Sequence, residues 1–240
     1  VTLDLLDPGL VTWPLSEYAS RYGVHARVEV VEDPVEEPIL LADAIDHVRA
    51  INTEEDAYIG RLIKVVRRFA EYTTRRSLMP QTLALVMDRF PLGRVGWPVL
   101  GASSAVIHVP RPPIISIESI TYIDDAGSPA EQTLDPALYQ TDLPRGPHAG
   151  YGRVRPIPNQ FWPMTACRTL DAVRVTYRAG YLDTTSPPAS PPQSVVPDDL
   201  VHGMLLMLVV NDARPTETMA ERTTPATIRA RSLLMPYRVY

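Results

Sequence analysis

The sequence predicts an α+β fold: a small helical bundle with an inserted, irregular antiparallel β region and extended terminal arms. Three observations carry that expectation. Helical periodicity is concentrated in 41–77 and 197–214, and period-two alternation fills the stretch between them. Twenty-five prolines, about twice ordinary usage, impose turns and interrupt strands. An apolar fraction of 45% against 21% charged residues suffices to bury a core in 240 residues, so the chain reads as folded.

Residues 1–37 show no helical period. They mix β-formers at 28–31 with an acidic, Pro-broken stretch, and read as an N-terminal arm or a short edge strand. A first helix is expected over 41–51, where Leu41, Ile45 and Val48 recur at i, i+4 and i+7. Asn52 and Glu55 have capping-box spacing and open a second helix, 53–77. Its apolar stripe runs through Ile59, Leu62, Ile63, Val66, Phe69, Ala70 and Thr73. Residues 38–79 are thus the first part of the bundle. Arg67, Arg68, Arg75 and Arg76 admit two readings: a basic groove for DNA, or solvated charge matched to the helix dipole.

From 80 to 182 the period is two. Leu83, Leu85 and Met87 share one face of a strand over 81–88, and 115–123 reads as another. Asp124 to Gly127 supplies hairpin-turn chemistry. Val173, Val175 and Tyr177 alternate with Arg174, Thr176 and Arg178. A Pro-rich loop is expected over 183–196, low-complexity at 184–194. The second part of the bundle, 197–214, has Pro197 at its first position and Asp198 and Asp199 in its first turn. It is apolar nearly all round and should be the buried central helix. Residues 215–240 read as a C-terminal tail, polar first and apolar at its end.

No constellation for chemistry stands out. Asp124/Asp125 and Asp198/Asp199 are accounted for by a turn and a helix start. His25, His47, His108, His148 and His202 never fall at metal-ligand spacing, so neither metal nor cofactor is expected. Ser103 and Ser104 lack a nucleophile elbow, and Cys167 reads as a small hydrophobe. A lone cysteine excludes an internal disulfide. The net charge of −5 gives no global field for nucleic acid. Val1–Leu10 does not read as a signal peptide, and the longest apolar run, Leu200–Val210, is too short to span a bilayer.

Particular runs, in order, resemble the head–tail connector (adaptor) family of tailed bacteriophages and gene transfer agents. They are Pro38 to Ala44 entering the first helix, Glu54 to Ile59 opening the second, and Glu71 to Leu78 leading to Gln81-Thr82-Leu83. Further on come Pro110 to Pro113, the Ser119 to Gly127 hairpin, Val173 to Tyr181, and Val196 to Leu200. The resemblance spans about 35–214. Leu40 stands where the family has a helix-opening Thr, 210–215 lacks the family's aromatic run, and 1–34 and 184–194 have no counterpart.

The resemblance implies a non-enzymatic ring oligomer, twelve-fold by expectation, docked under the portal protein and continuing the DNA channel to the tail. It would bind a tail-completion or tail-terminator protein below, pass DNA without reading its sequence, and sit in the virion neck after assembly in the host cytoplasm. Arg231, Leu233, Leu234, Tyr237, Arg238 and Tyr240 are the expected portal-binding residues, since an apolar, aromatic and arginine-bearing end suits an anchor. The alternative is that this tail folds back on the chain's own β region. Two other functions stay open: another neck or tail-completion protein, and a host- or carbohydrate-binding module or hydrolase. The last would need an aromatic patch, and Trp13, Trp97 and Trp162 have no regular spacing.

Overall fold

The computed structural model describes residues 13–14, 24–48, 55–91, 106–126, 130–165, 169–182, 195–211 and 219–239. The expected capping residue Asn52, Cys167 and the 184–194 loop lie outside them. The fold is α+β. The chain divides into a sheet unit (1–33, 81–144, 151–179) and a helical unit (34–80, 145–150, 180–240).

Among the described residues the sheet unit holds nine strands in two antiparallel sheets. In chain order they are β1 (Trp13–Pro14), β2 (Ala26–Glu32), β3 (Gln81–Met87), β4 (Ile107–Val109) and β5 (Ile114–Ile123). Then come β6 (Glu131–Thr133), β7 (Tyr139–Asp142), β8 (Gly152–Pro156) and β9 (Val173–Ala179). The larger sheet has the order β1-β2-β3-β9-β5-β6 and the smaller β4-β8-β7. Leu85 pairs with Val28 on one side and Val175 on the other, so three apolar side chains meet on one face. They join Tyr177, Ile120, and Ile107, Val109 and Val154 of the smaller sheet in one buried core. Each such side chain contributes about 1.5–3 kcal/mol by leaving water.

The alternation expected at 173–178 is present: Val173, Val175 and Tyr177 are buried while Arg178 is exposed. The hairpin is present too. Asp124 Oδ1 accepts from the main-chain N–H of Ala130 at 3.1 Å, joining β5 to the start of β6. The edge-strand or arm reading of 28–31 is corrected. β2 lies between β1 and β3, and Val24, Ala26 and Val28 belong to the core.

All seven residues of β3 are buried, the second face included. Register explains part of that cover. Val86 is flanked by Arg27 on β2 and Arg174 on β9, and Glu29 reaches across β3 to accept from Arg174 Nη2 at 3.0 Å. Arg27 joins Glu29 to Asp171, so a line of charge crosses over Ala84 and Val86 with its aliphatic stems beneath. Hydrogen bonds from Arg27 hold Asp171 below the usual carboxylate range.

The helical unit contains α1 (Leu41–Val48), α2 (Asp56–Thr74), α3 (Asp198–Asn211) and α4 (Met219–Leu234), followed by a 3-10 turn, Met235–Tyr237. Ile59, Ile63, Val66 and Ala70 of α2 share a core with Leu200, Met204 and Leu208 of α3, the central helix expected from its composition. Phe69 is half-buried at the margin. Gly203 on α3 eases a close approach: a Cβ there would lie 3.3 Å from Leu234 Cδ2 and 3.4 Å from the Ala230 carbonyl oxygen, a tight contact. The expected tail is corrected as well, since α4 occupies most of it. Gly180 has φ +136°, and a Cβ would come within 2.3 Å of the Met79 backbone, so only glycine fits.

Candidate functional site

The C-terminal segment is built onto α2 and α3. Leu234 is fully buried, and Pro236 shapes the 3-10 turn that presents Tyr237. The Tyr237 ring stacks on His148 with centroids 4.7 Å apart, its hydroxyl donates to Asp199 Oδ2 at 3.2 Å, and its carbonyl accepts from Arg76 Nε. Burial raises the Tyr237 phenol, and the hydrogen bond and charge of Asp199 add to that. Tyr181 lies in the same core. Its hydroxyl donates to the Pro147 carbonyl at 2.7 Å, and burial pushes it up to about 12.

The six residues expected to bind a portal therefore separate. Leu234 and Tyr237 are core, and Arg238 is half-buried. Arg231 is exposed and Leu233 half-buried. Tyr240 lies outside the described residues. The described part of the segment packs within the helical unit, against Thr74 and Arg76, Asp199 of α3, and His148.

The arginines near the end of α2 fit neither of their two readings as a set. Arg67 is buried, with Nε donating to Glu37 Oε2 at 2.8 Å and Nη1 to Glu71 Oε2 at 3.1 Å. Glu71 also accepts from the Leu78 main chain at 3.0 Å, so one carboxylate ties the helix to the chain leaving it. Arg76 is buried against Tyr237, and only Arg68 is fully outward. Burial and pairing of this kind make Arg67 and Arg76 parts of the internal framework, not of a groove.

The fold has clear counterparts among solved structures. A chain in the virion of a native gene transfer agent particle superposes with TM-score 0.63 at 16% identity, covering 89% of this chain and 95% of that one. This chain has the fold of a gene transfer agent particle component. A chain in the neck of an empty particle, computed with C6 symmetry, gives 0.60 at 16% identity, with 89% and 95% covered. One in the neck of a native particle, computed with C12 symmetry, gives 0.52 at 17% identity, with 88% and 96% covered. No protein-family model matches the sequence, and no curated protein does.

Chemically, the described residues offer surfaces more than a reaction centre. Among them no three His, Cys, Asp or Glu side chains are grouped to hold a metal ion, and no helix is long and apolar enough to cross a membrane. Large apolar side chains are exposed instead, among them Tyr58, Val65 and Tyr72 on α2, and Phe161 and Met164 on the loop after β8. The sequence signal for the α2 set was its seven-residue spacing, hidden beside the stronger buried stripe.

Proposed function

We propose that this chain is a structural adaptor subunit of a head–tail connector, one of the copies that form a ring in the neck of a phage-like particle. The observation that supports this best is the fold shared, over nine-tenths of both chains, with components of gene transfer agent particles and their necks. The ordered sequence runs between 38 and 200 point the same way. In this reading the subunit is not an enzyme. Copies pack through repeated heterologous contacts that close on themselves, twelve being the expected number. The ring meets the portal above and a tail-completion or tail-terminator protein below, and DNA passes through without sequence-specific contact. Assembly takes place in the host cytoplasm.

Portal contact by the C-terminal segment falls to its exposed Arg231, with the half-buried Leu233 and Arg238 beside it; Leu234 and Tyr237 hold the segment in place. A different neck or tail-completion role would draw on the same structural matches, and position in an assembled particle separates the two. Cryo-electron microscopy of particles carrying this chain is the test. The expected result is a ring of this fold directly beneath the portal. Density at the tail side of the neck would favour the second role, and absence from the particle would overturn both.

A further inference from the structure

The outward side of α2 is apolar and basic. Tyr58, Arg61, Val65, Arg68 and Tyr72 recur at three- and four-residue steps, turned away from the buried line of Ile59, Ile63, Val66 and Ala70. Tyr58 is 43%, Val65 42% and Tyr72 61% exposed. Lys64 lies beside them, and no acidic side chain is exposed along this helix. An apolar stripe of this kind on a folded protein marks a surface that something covers.

The entry segment and α1 carry the opposite character. Val35, Leu40 and Leu41 are exposed beside the exposed carboxylates of Glu36, Asp43 and Asp46. Between Pro34 and Val48 there is no lysine or arginine. Among the described residues none of these three carboxylates, nor Arg61, Lys64 or Arg68, joins an ion pair.

We propose that the outward face of α2 docks on the acidic, apolar flank of residues 35–46 in a second copy of this chain, repeated head to tail around the ring. The inference rests on the ring reading above and names its interface. Three cations face three carboxylates, and three large apolar residues face three others. The sign of the charge also selects the geometry. Pairing two α2 faces about a two-fold axis would set Arg61, Lys64 and Arg68 of both copies against one another, so a closed dimer is disfavoured. Two different patches on every copy leave the contact open to propagate, which is the requirement for a ring.

The test uses the full chain with a benzophenone amino acid in place of Tyr58 or Tyr72, mixed as isotopically light and heavy copies, with association followed by sedimentation. Cross-links joining light to heavy copies should land in residues 35–46. R61E/R68E should weaken association by about tenfold or more, D43R/D46R likewise, and the chain carrying all four changes should recover it. All six positions altered or labelled are exposed, so a native thermal midpoint is expected throughout. Cross-links between copies that land elsewhere, or unchanged association in both charge-reversed chains, would overturn this interface and leave the ring standing. No association between any copies at high concentration would overturn the ring and the interface together.

Discussion

The main-chain N–H of Val239 donates to the carbonyl oxygen of Thr74 at 3.0 Å. Thr74 ends α2, and a helix leaves its last carbonyls without partners inside the helix. The far end of the chain supplies one. Arg76 returns the tie by donating to the Tyr237 carbonyl. The C-terminal residues are therefore structural members of the helical unit, whatever else their outward side does.

Truncation at residue 230 removes Leu234, Tyr237 and Val239 from the core. It should lower stability by about 3 kcal/mol or more, and Leu234→Ala alone by about 2–5 kcal/mol. Urea denaturation followed by circular dichroism measures both. An unchanged midpoint in the truncated chain would mean that the segment does not pack as described.

Within α2, burial orders the cost of substitutions. Ile63 is 3% exposed and Phe69 only half-buried. Ile63→Ala should cost about 2–5 kcal/mol, and Phe69→Ala less, about 1–2 kcal/mol, because its ring already touches water. The reverse order of denaturation midpoints would contradict the helix orientation.

Arg67→Met tests the buried ion pairs. It removes the Arg67 guanidinium from the carboxylates of Glu37 and Glu71, and breaking a buried pair from one side costs about 3–5 kcal/mol. Adding Glu71→Gln to Arg67→Met should recover part of the loss, since an amide still accepts from the Leu78 main chain. A double variant no more stable than Arg67→Met would show that pairing with Glu71 is not what holds Arg67.

How much of this was readable in the sequence depends on the range of the interactions. The α2 stripe, the apolar α3 and the alternation at 173–178 are local patterns, and each produced its element. Strand β2 also had its pattern, Ala26, Val28 and Val30 on alternate positions, but the acids and Pro34 after it suggested an arm. Helix α4 had almost none. Pro225 falls inside it and cannot donate a main-chain hydrogen bond, threonines precede it, and its packing face includes the small Ala230. The burial of Arg67 and Arg76 was out of reach for a different reason. Their partners, Glu37 and the Tyr237 carbonyl, are 30 and 161 residues away along the chain. Of the candidate site, the sequence located the segment but not which side of it faces inward.

Tyr181 predicts the response to alkali. Its phenol is pushed up to about 12, against about 10 in an unfolded chain. The folded state thus keeps the proton that the unfolded state releases first. Stability from this group is complete below pH about 10 and lost as pH rises from there through about 12, by roughly 2 kcal/mol. Tyr181→Phe should be less stable at neutral pH, having lost the hydrogen bond to Pro147, yet should lose less stability on going to high pH. Parallel curves for the two proteins would remove Tyr181 as the cause.

The last prediction separates folding from partner binding at the C-terminal segment. Arg231 is exposed near the end of α4, on the same short stretch as the buried Leu234. Arg231→Glu removes a donor and reverses a charge without opening the core, so its folding stability should stay within about 0.5 kcal/mol of the parent's. If the segment meets a portal ring through its outward residues, that variant should bind isolated portal rings about tenfold more weakly in a pull-down titration. Leu234→Ala should behave differently: its binding loss should follow its unfolding and vanish at low temperature, where the fold is retained. Portal binding by Arg231→Glu equal to that of the parent chain would move the contact off this segment. Binding lost in step with stability in both variants would reduce the segment to a structural clasp.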